Sequence, residues 1–247
     1  MANIKNPHWG VYTKEVSSKQ TRHEISFVDT FINGLPAYKA DGKFVINNAS
    51  FGKRKDNNLV CHTYDNVVFE ALEGTSISFI RCCFKEVIFI DCIIEDLDLN
   101  SCEFMGCQFI NCTFRNSKIT DCNFCSTVEK RNEYVSCHMP LATIYGTKFE
   151  QVDMINVDME DSNLIECWFA DCSIISCSFK GSFLRMVYIL KTVFEKIDFS
   201  KSSMFEVEFD EVSTLVDINI ESMFIQRTNF SYDRIGVSQP VYEKLVA

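Results

Sequence analysis

From Leu59 to Phe209 the chain places an apolar residue at every fifth position, and any fold it adopts must satisfy that period. The series runs through Tyr64, Phe69, Phe79, Phe84, Phe89, Ile94, Leu99, Phe104, Phe109, Phe114, Ile119 and Phe124. It resumes at Tyr134 and continues through Met139, Ile144, Phe149, Met154, Met159, Leu164, Phe169, Ile174, Phe179, Leu184, Ile189, Phe194, Phe199 and Met204. Of its 31 positions only Gly74 and Glu129 break the rule, in a chain that is 47% hydrophobic, so chance does not produce it. Two residues before each large side chain lies a mostly small one, as at Cys102, Cys107, Cys112, Ser117, Ala142, Val152 and Ser162.

A period of five fits neither the 3.6 of a helix nor strict alternation. Two inward positions separated by one outward position are nevertheless locally strand-like. The chain must therefore turn after each unit, and four turns close a square coil of about twenty residues that hydrogen-bonds to its neighbours about 4.8 Å above and below. The large residue fills the coil centre and the small one the tighter place beside it. Only nine glycines and four prolines are available to make so many turns.

The units CEFMG, CQFIN, CTFRN, SNLIE, CSFKG and IDFSK resemble those of the pentapeptide repeat family, whose pattern is small, polar, Leu or Phe, polar, polar. The resemblance covers roughly residues 57 to 232 and implies an all-β fold, a right-handed quadrilateral β-helix with capping ends. This chain prefers Phe to Leu at the centre and Cys to Ala at the small site.

Register breaks divide the chain into an N-terminal cap over 1–45, a β-helix over 46–235 and a short C-terminal helix or cap over 236–247. Ile46 and Phe51 repeat the pattern in a shifted register, so 52–58 reads as an outward loop. Around Glu129 a carboxylate replaces the central apolar residue, and burying it unpaired would be costly, so 125–133 also bulges outward. After Phe209 the series moves by one residue to Leu215, Ile220, Ile225 and Phe230, which places a bulge near 211–214. The segment after Pro240 either caps the rod or pairs two rods into a homodimer.

Chemistry is sparse. Ten of the thirteen cysteines occupy the small inward site, where a thiol packs as a compact hydrophobe rather than a metal ligand. Cys122 and Cys125 form a CxxC with no second pair at zinc-finger spacing, and one is expected inward while the other faces out. Glu95, Asp96 and Asp98 form the densest acidic cluster and read as solvated wall charge. No histidine lies in a hydrolase or metal motif and no Gly-rich phosphate loop occurs. The expectation is a binding protein with no catalytic residue, cofactor or metal. The start of the sequence lacks a hydrophobic leader and no stretch is long enough to span a bilayer, so the expected location is cytoplasmic, without membrane contact.

Charge narrows the partner. The chain holds 34 acidic and 24 basic side chains, and residues 59–211 alone hold 25 and 12, a net of -13. That argues against direct nucleic-acid binding. Over about 36 Å of rod it amounts to one net charge per roughly 2.8 Å, against one per about 1.7 Å for duplex DNA. Counting faces modulo twenty gives two adjacent faces 14 acids and 6 bases and the other two 11 and 6, a mild bias. The family resemblance implies an acidic rod that mimics duplex DNA and binds DNA gyrase, topoisomerase IV or another DNA-binding enzyme, modulating or protecting it. The alternative is a protein–protein interaction scaffold without mimicry, of the bacterial effector or phage-encoded kind. Expected partner contacts are the loop cations Lys53, Arg54, Lys55, Lys130 and Arg131 and the wall carboxylates Asp91, Glu150 and Asp171.

Overall fold

The computed structural model describes residues 30–33, 35–40, 42–47, 57–230 and 233. From Asn58 onward the chain winds into coils of four short strands, most of three residues, and each strand pairs in parallel with its counterpart one coil away. The first face is a nine-stranded sheet from Asn58–Val60 to Phe224–Gln226. The second holds eight strands from Thr63–Asp65 to Glu208–Phe209. The third begins in the coils with Val67–Glu70 and ends with Thr214–Asn219. The fourth pairs Glu73–Thr75, Ile93–Glu95 and Thr113–Arg115, then continues as single bridges through His138, Asp158, Ser178 and Asp198. The result is a four-sided solenoid built from five-residue units.

The two inward series form its core. Tyr64, Phe84, Phe104 and Phe124 are all fully buried on the second face. Their rings, and those of Phe149 and Phe169 beyond, stack coil upon coil with centroids 4.5 to 5.2 Å apart. A parallel stack of Phe69, Phe89, Phe109 and Tyr134 runs up the third face. Strand spacing and ring-stacking distance nearly coincide, so one geometry serves backbone and side chain together.

The corners explain how so few glycines suffice. The last residue of nearly every unit from Cys61 to Arg227 sits in the left-handed region near φ 50–59°, and most are not glycine. That conformation costs an L-residue roughly 1–2 kcal/mol. Here most corner amides donate to a carbonyl of the next coil, as Asp91 N does to Ile110 O at 3.0 Å and Asp96 N to Arg115 O at 3.0 Å. The bond and the burial of the adjoining ring offset the strain.

Small inward residues do more than fit. The thiol of Cys102 donates to Phe79 O at 3.1 Å and that of Cys107 to Phe84 O at 3.3 Å, and Ser162 and Ser182 hydroxyls make the same reach to Met139 O and Met159 O. Cys and Ser recur because the site offers a carbonyl as well as limited space.

Two of the register breaks lie within the described residues and carry physical detail the sequence does not show. Gln108 pairs with Glu133 and Lys118 with Thr143, twenty-five residues on instead of twenty, so one whole five-residue unit is looped out between Cys125 and Asn132. This overturns the modulo-twenty face count, because every later unit lies one face away from where simple counting put it. Near the end, Phe194 pairs with Leu215, a one-residue insertion closed by Asp210, whose carboxylate accepts from Ser213 N and Oγ. At the other end β1 (Thr30–Ile32), β2 (Leu35–Ala40) and β3 (Lys43–Asn47) form an antiparallel meander, and β3 joins the third face beside Val67–Glu70. Leu35, Ala37 and Ile46 enter the core there. Residues 1–29, most of the expected 52–58 loop and the expected C-terminal helix or cap over 236–247 lie outside the described residues.

Candidate protein-binding surface

The true register redistributes the charge. With each corner counted with the strand before it, the first face carries Asp98, Asp121, Glu166 and Glu206 against Arg81, Lys118, Arg185 and Arg227, and is neutral. The second carries Asp65, Glu86, Glu103, Glu150, Asp171, Glu208, Asp210 and Glu211 against Lys85, Lys148 and Lys191. The third has Glu70, Asp91, Glu133, Asp153, Glu195 and Asp217 against Lys196, and the fourth Glu73, Glu95, Asp96, Asp158, Glu160, Asp161, Asp198 and Glu221 against Arg115, Lys180 and Lys201. The second and fourth faces each have a net charge of -5, and the third has -5 in its coils and -3 once Lys39 and Lys43 of β2 and β3, which belong to its sheet, are counted. A mild two-against-two bias becomes three acidic faces against one neutral one.

The wall is not a continuous row of free carboxylates. Glu150 pairs with Lys148 at 2.5 Å, Glu195 with Lys196 at 3.1 Å and Asp158 with His138 at 2.6 Å. Asp91 and Asp171 sit at corners and accept from Asn111 and Gln151. Glu150 and Asp171 share the second face and lie one coil apart, whereas Asp91 ends a third-face unit nearer the start of the rod. The geometry therefore brings together two of the three expected wall residues. Glu95, Asp96 and Asp98 fall on the fourth face, its corner and the first face, so they do not converge on one point. No group of three metal-ligating side chains occurs among the described residues.

The looped-out unit lies along the corner between the second and third faces. Thr127 and Lys130 close it as a tight turn, with Thr127 N donating to Lys130 O at 2.7 Å. It packs over Gly106, whose φ of +59° and missing Cβ leave room for the Thr127 and Lys130 side chains. Lys130 pairs with Glu86, and Arg131 reaches the Asp153 carboxylate at 3.0 Å and the Asp171 carbonyl at 2.5 Å. Asn132, fully buried, re-enters the coil at the small site. Its amide accepts from Cys107 N at 2.7 Å and donates to Phe104 O and Cys125 O. Lys130 and Arg131 are thus occupied within the rod, and the loop presents its tip, with Val128 fully exposed. Sequence reasoning named the cations and passed over Val128. An apolar residue beside the forbidden central carboxylate was the available signal. Lys53, Arg54 and Lys55 lie outside the described residues.

Burial also weakens the third face as an anion. Glu70 is 2% exposed, accepts from the Tyr38 hydroxyl at 3.2 Å, and is pushed up to about 7 by desolvation. Desolvation likewise raises Glu133 and Asp153, against the pull of Gln108 on one and Arg131 on the other. Around Glu70 the outer side of this face is apolar, with Val45, Val68, Ile88, Ile90 and Ile110 buried and Tyr38 and Ala40 packed against them.

The outside changes toward the other end. Trp168 and Tyr188 stack on the second face with centroids 5.8 Å apart, next to exposed Leu190. Phe183, Phe205 and Phe224 stand outward on the neutral first face.

These features define the molecule as a four-sided β-solenoid of five-residue units with three acidic walls and one neutral, aromatic one. No family model matches the sequence, and no curated relative does. Among solved structures it is similar to full-length QnrB1, a plasmid-mediated fluoroquinolone resistance protein, at 13% identity and a TM-score of 0.38, covering 76% of this chain and 94% of that one. It is also similar to HetL, a pentapeptide repeat protein involved in heterocyst differentiation regulation in the cyanobacterium Nostoc (8% identity, TM-score 0.21, 68% of this chain and 86% of that one). A third is the pentapeptide repeat protein Rfr23 from the cyanobacterium Cyanothece (12% identity, TM-score 0.21, 54% and 90%). The class assignment rests on the chain's own five-residue geometry.

Proposed function

We propose that this protein is a non-catalytic, cytoplasmic binding rod whose acidic walls occupy the duplex-binding surface of a DNA-binding enzyme, with type II topoisomerases such as DNA gyrase or topoisomerase IV as the partner class. The observation that carries the reading is the net negative charge on three adjacent faces, -5, -3 and -5. A basic groove shaped for a duplex meets negative charge on most of its circumference, and such a rod meets that demand without nucleotides. Glu150 and Asp171 on the second face and Asp91 farther back are the wall contacts of this reading, while Lys130 and Arg131 fix the loop whose tip, Val128 and Glu129, touches the partner. Lys53, Arg54 and Lys55 are assigned to the same contact. A concrete test is gyrase supercoiling with and without a quinolone. The rod is expected to change supercoiling or its inhibition by the drug, and reversing Asp91, Glu150 and Asp171 together to Lys is expected to weaken that effect. No effect at large molar excess contradicts the partner class.

A second reading, an interaction scaffold without mimicry, is favoured by the aromatic residues exposed on the first and second faces. Under it, binding is insensitive to salt and indifferent to DNA.

A further inference from the structure

On the first face two outward columns climb the rod near its end. One reads Phe183, Ser203, Phe224 and the other Arg185, Phe205, Gln226, coil by coil. These six residues line an open groove of about 510 Å3. Phe183 and Phe224 stand two coils apart, roughly 9 to 10 Å along the rod, and the small Ser203 lies between them. Where aromatic side chains occupy successive coils on the outside they close on one another, as Trp168 and Tyr188 do at 5.8 Å. The Phe183–Ser203–Phe224 column therefore interrupts an outward ladder by one ring.

Charge specifies the rest. Arg227 lies over the Phe205 ring at 5.5 Å and pairs with Glu206 at 3.1 Å. Arg185 is exposed beside Phe205's column position, and no carboxylate among the described residues pairs with it. The first face is also the one described face without net negative charge, so an anionic segment meets no general repulsion there.

We propose that this groove docks a segment of a partner protein that presents a phenylalanine-like side chain beside a carboxylate. The ring enters over Ser203 between Phe183 and Phe224 and completes the ladder, while the carboxylate takes Arg185. This surface is independent of the acidic walls, lies on a different face and selects opposite chemistry.

The test uses the full chain and a capped tetrapeptide of valine, aspartate, phenylalanine and valine, followed by amide chemical shifts and titration. Shifts are expected at 183–185, 203–205 and 224–226. Replacing the peptide phenylalanine by alanine should weaken binding about tenfold or more, and replacing its aspartate by asparagine about threefold. Ser203→Phe fills the gap and should abolish binding with the circular dichroism unchanged, and Arg185→Glu should restore preference for a lysine-containing peptide over the aspartate one. Absence of shifts at these positions with millimolar peptide overturns the proposal, as does unchanged binding by Ser203→Phe. Sedimentation showing a dimer that Ser203→Phe dissolves would assign the groove to a second copy, and groove shifts on deleting residues 231–247 would assign it to the chain's own tail. Either result also overturns it.

Discussion

The two halves of the rod share one backbone plan and differ in where aromatic residues stand on the outside. Up to Tyr134 the aromatic rings are inside, stacked in two columns, and apolar residues on the outside of the third face are buried as well. Beyond it the third-face column is interrupted by Met154 and Ile174 before Phe194, while Phe149 and Phe169 continue the second-face stack. Aromatic residues now stand outside, with Phe224 57% exposed and Trp168 39%. The coil tolerates either filling because strand pairing fixes the spacing and the centre asks only for volume. Stacked inner rings are therefore densest at one end, and exposed aromatic residues gather toward the other.

The largest effect that could break this contrast comes from a pair of truncations. Phe109→Ala removes a ring held between Phe89 at 4.8 Å and Tyr134 at 4.4 Å, and should cost about 3 to 5 kcal/mol in denaturant unfolding. Phe224→Ala, at the exposed end, should cost about 0.5 kcal/mol or less. Equal losses would mean that the two halves do not differ.

Glu70 sharpens the contrast through pH. Its folded value, raised to about 7 from an ordinary 4.5, means that the folded state holds the proton more tightly. Its contribution is therefore fully present below about pH 4.5 and lost as pH rises through 7, by up to about 3 kcal/mol. Urea titrations across that window should show this decline, and Glu70→Gln should flatten it. A decline that persists in Glu70→Gln would place the titrating group elsewhere.

Asn132→Ala would leave Cys107 N, Phe104 O and Cys125 O without the amide that now serves them. The expected loss is about 2 kcal/mol, with increased hydrogen exchange confined to the 125–132 unit. Uniform exchange along the rod would deny Asn132 its role in closing the insertion.

Thiol labelling gives the smallest signal. Cys61 is exposed and Cys83 and Cys125 are partly so, while the remaining ten are buried. Burial pushes Cys107, Cys167 and Cys177 up to about 12, which removes the reactive thiolate at neutral pH. Three groups should label quickly and ten only on unfolding, with no stoichiometric zinc. Rapid labelling of more than three would show that the coils open.

Much of the fold was legible because a period of five leaves a chain few ways to bury Phe104, Phe109 and Phe114 together. The corners were not legible, since left-handed Glu86 or Met186 carries no turn signature and is held by a ladder bond to the next coil. Asn132 escaped because the inward site was read as apolar, and Asn229 escaped because it is exposed, although its side chain exchanges hydrogen bonds with the Phe209 backbone like one more strand. The acidic character of the rod showed in composition, but its arrangement did not. A five-residue insertion moves each later carboxylate by one face, and nothing in the local sequence tells whether the loop carries away a whole unit.

The central claim is tested most directly by the rate at which the rod associates with gyrase as salt rises from about 0.05 M to about 0.5 M, over which the Debye length falls about threefold. The account expects a steep fall in association rate, little change in dissociation, and competition by duplex DNA. A rate unchanged across that range, with DNA failing to compete, would contradict it.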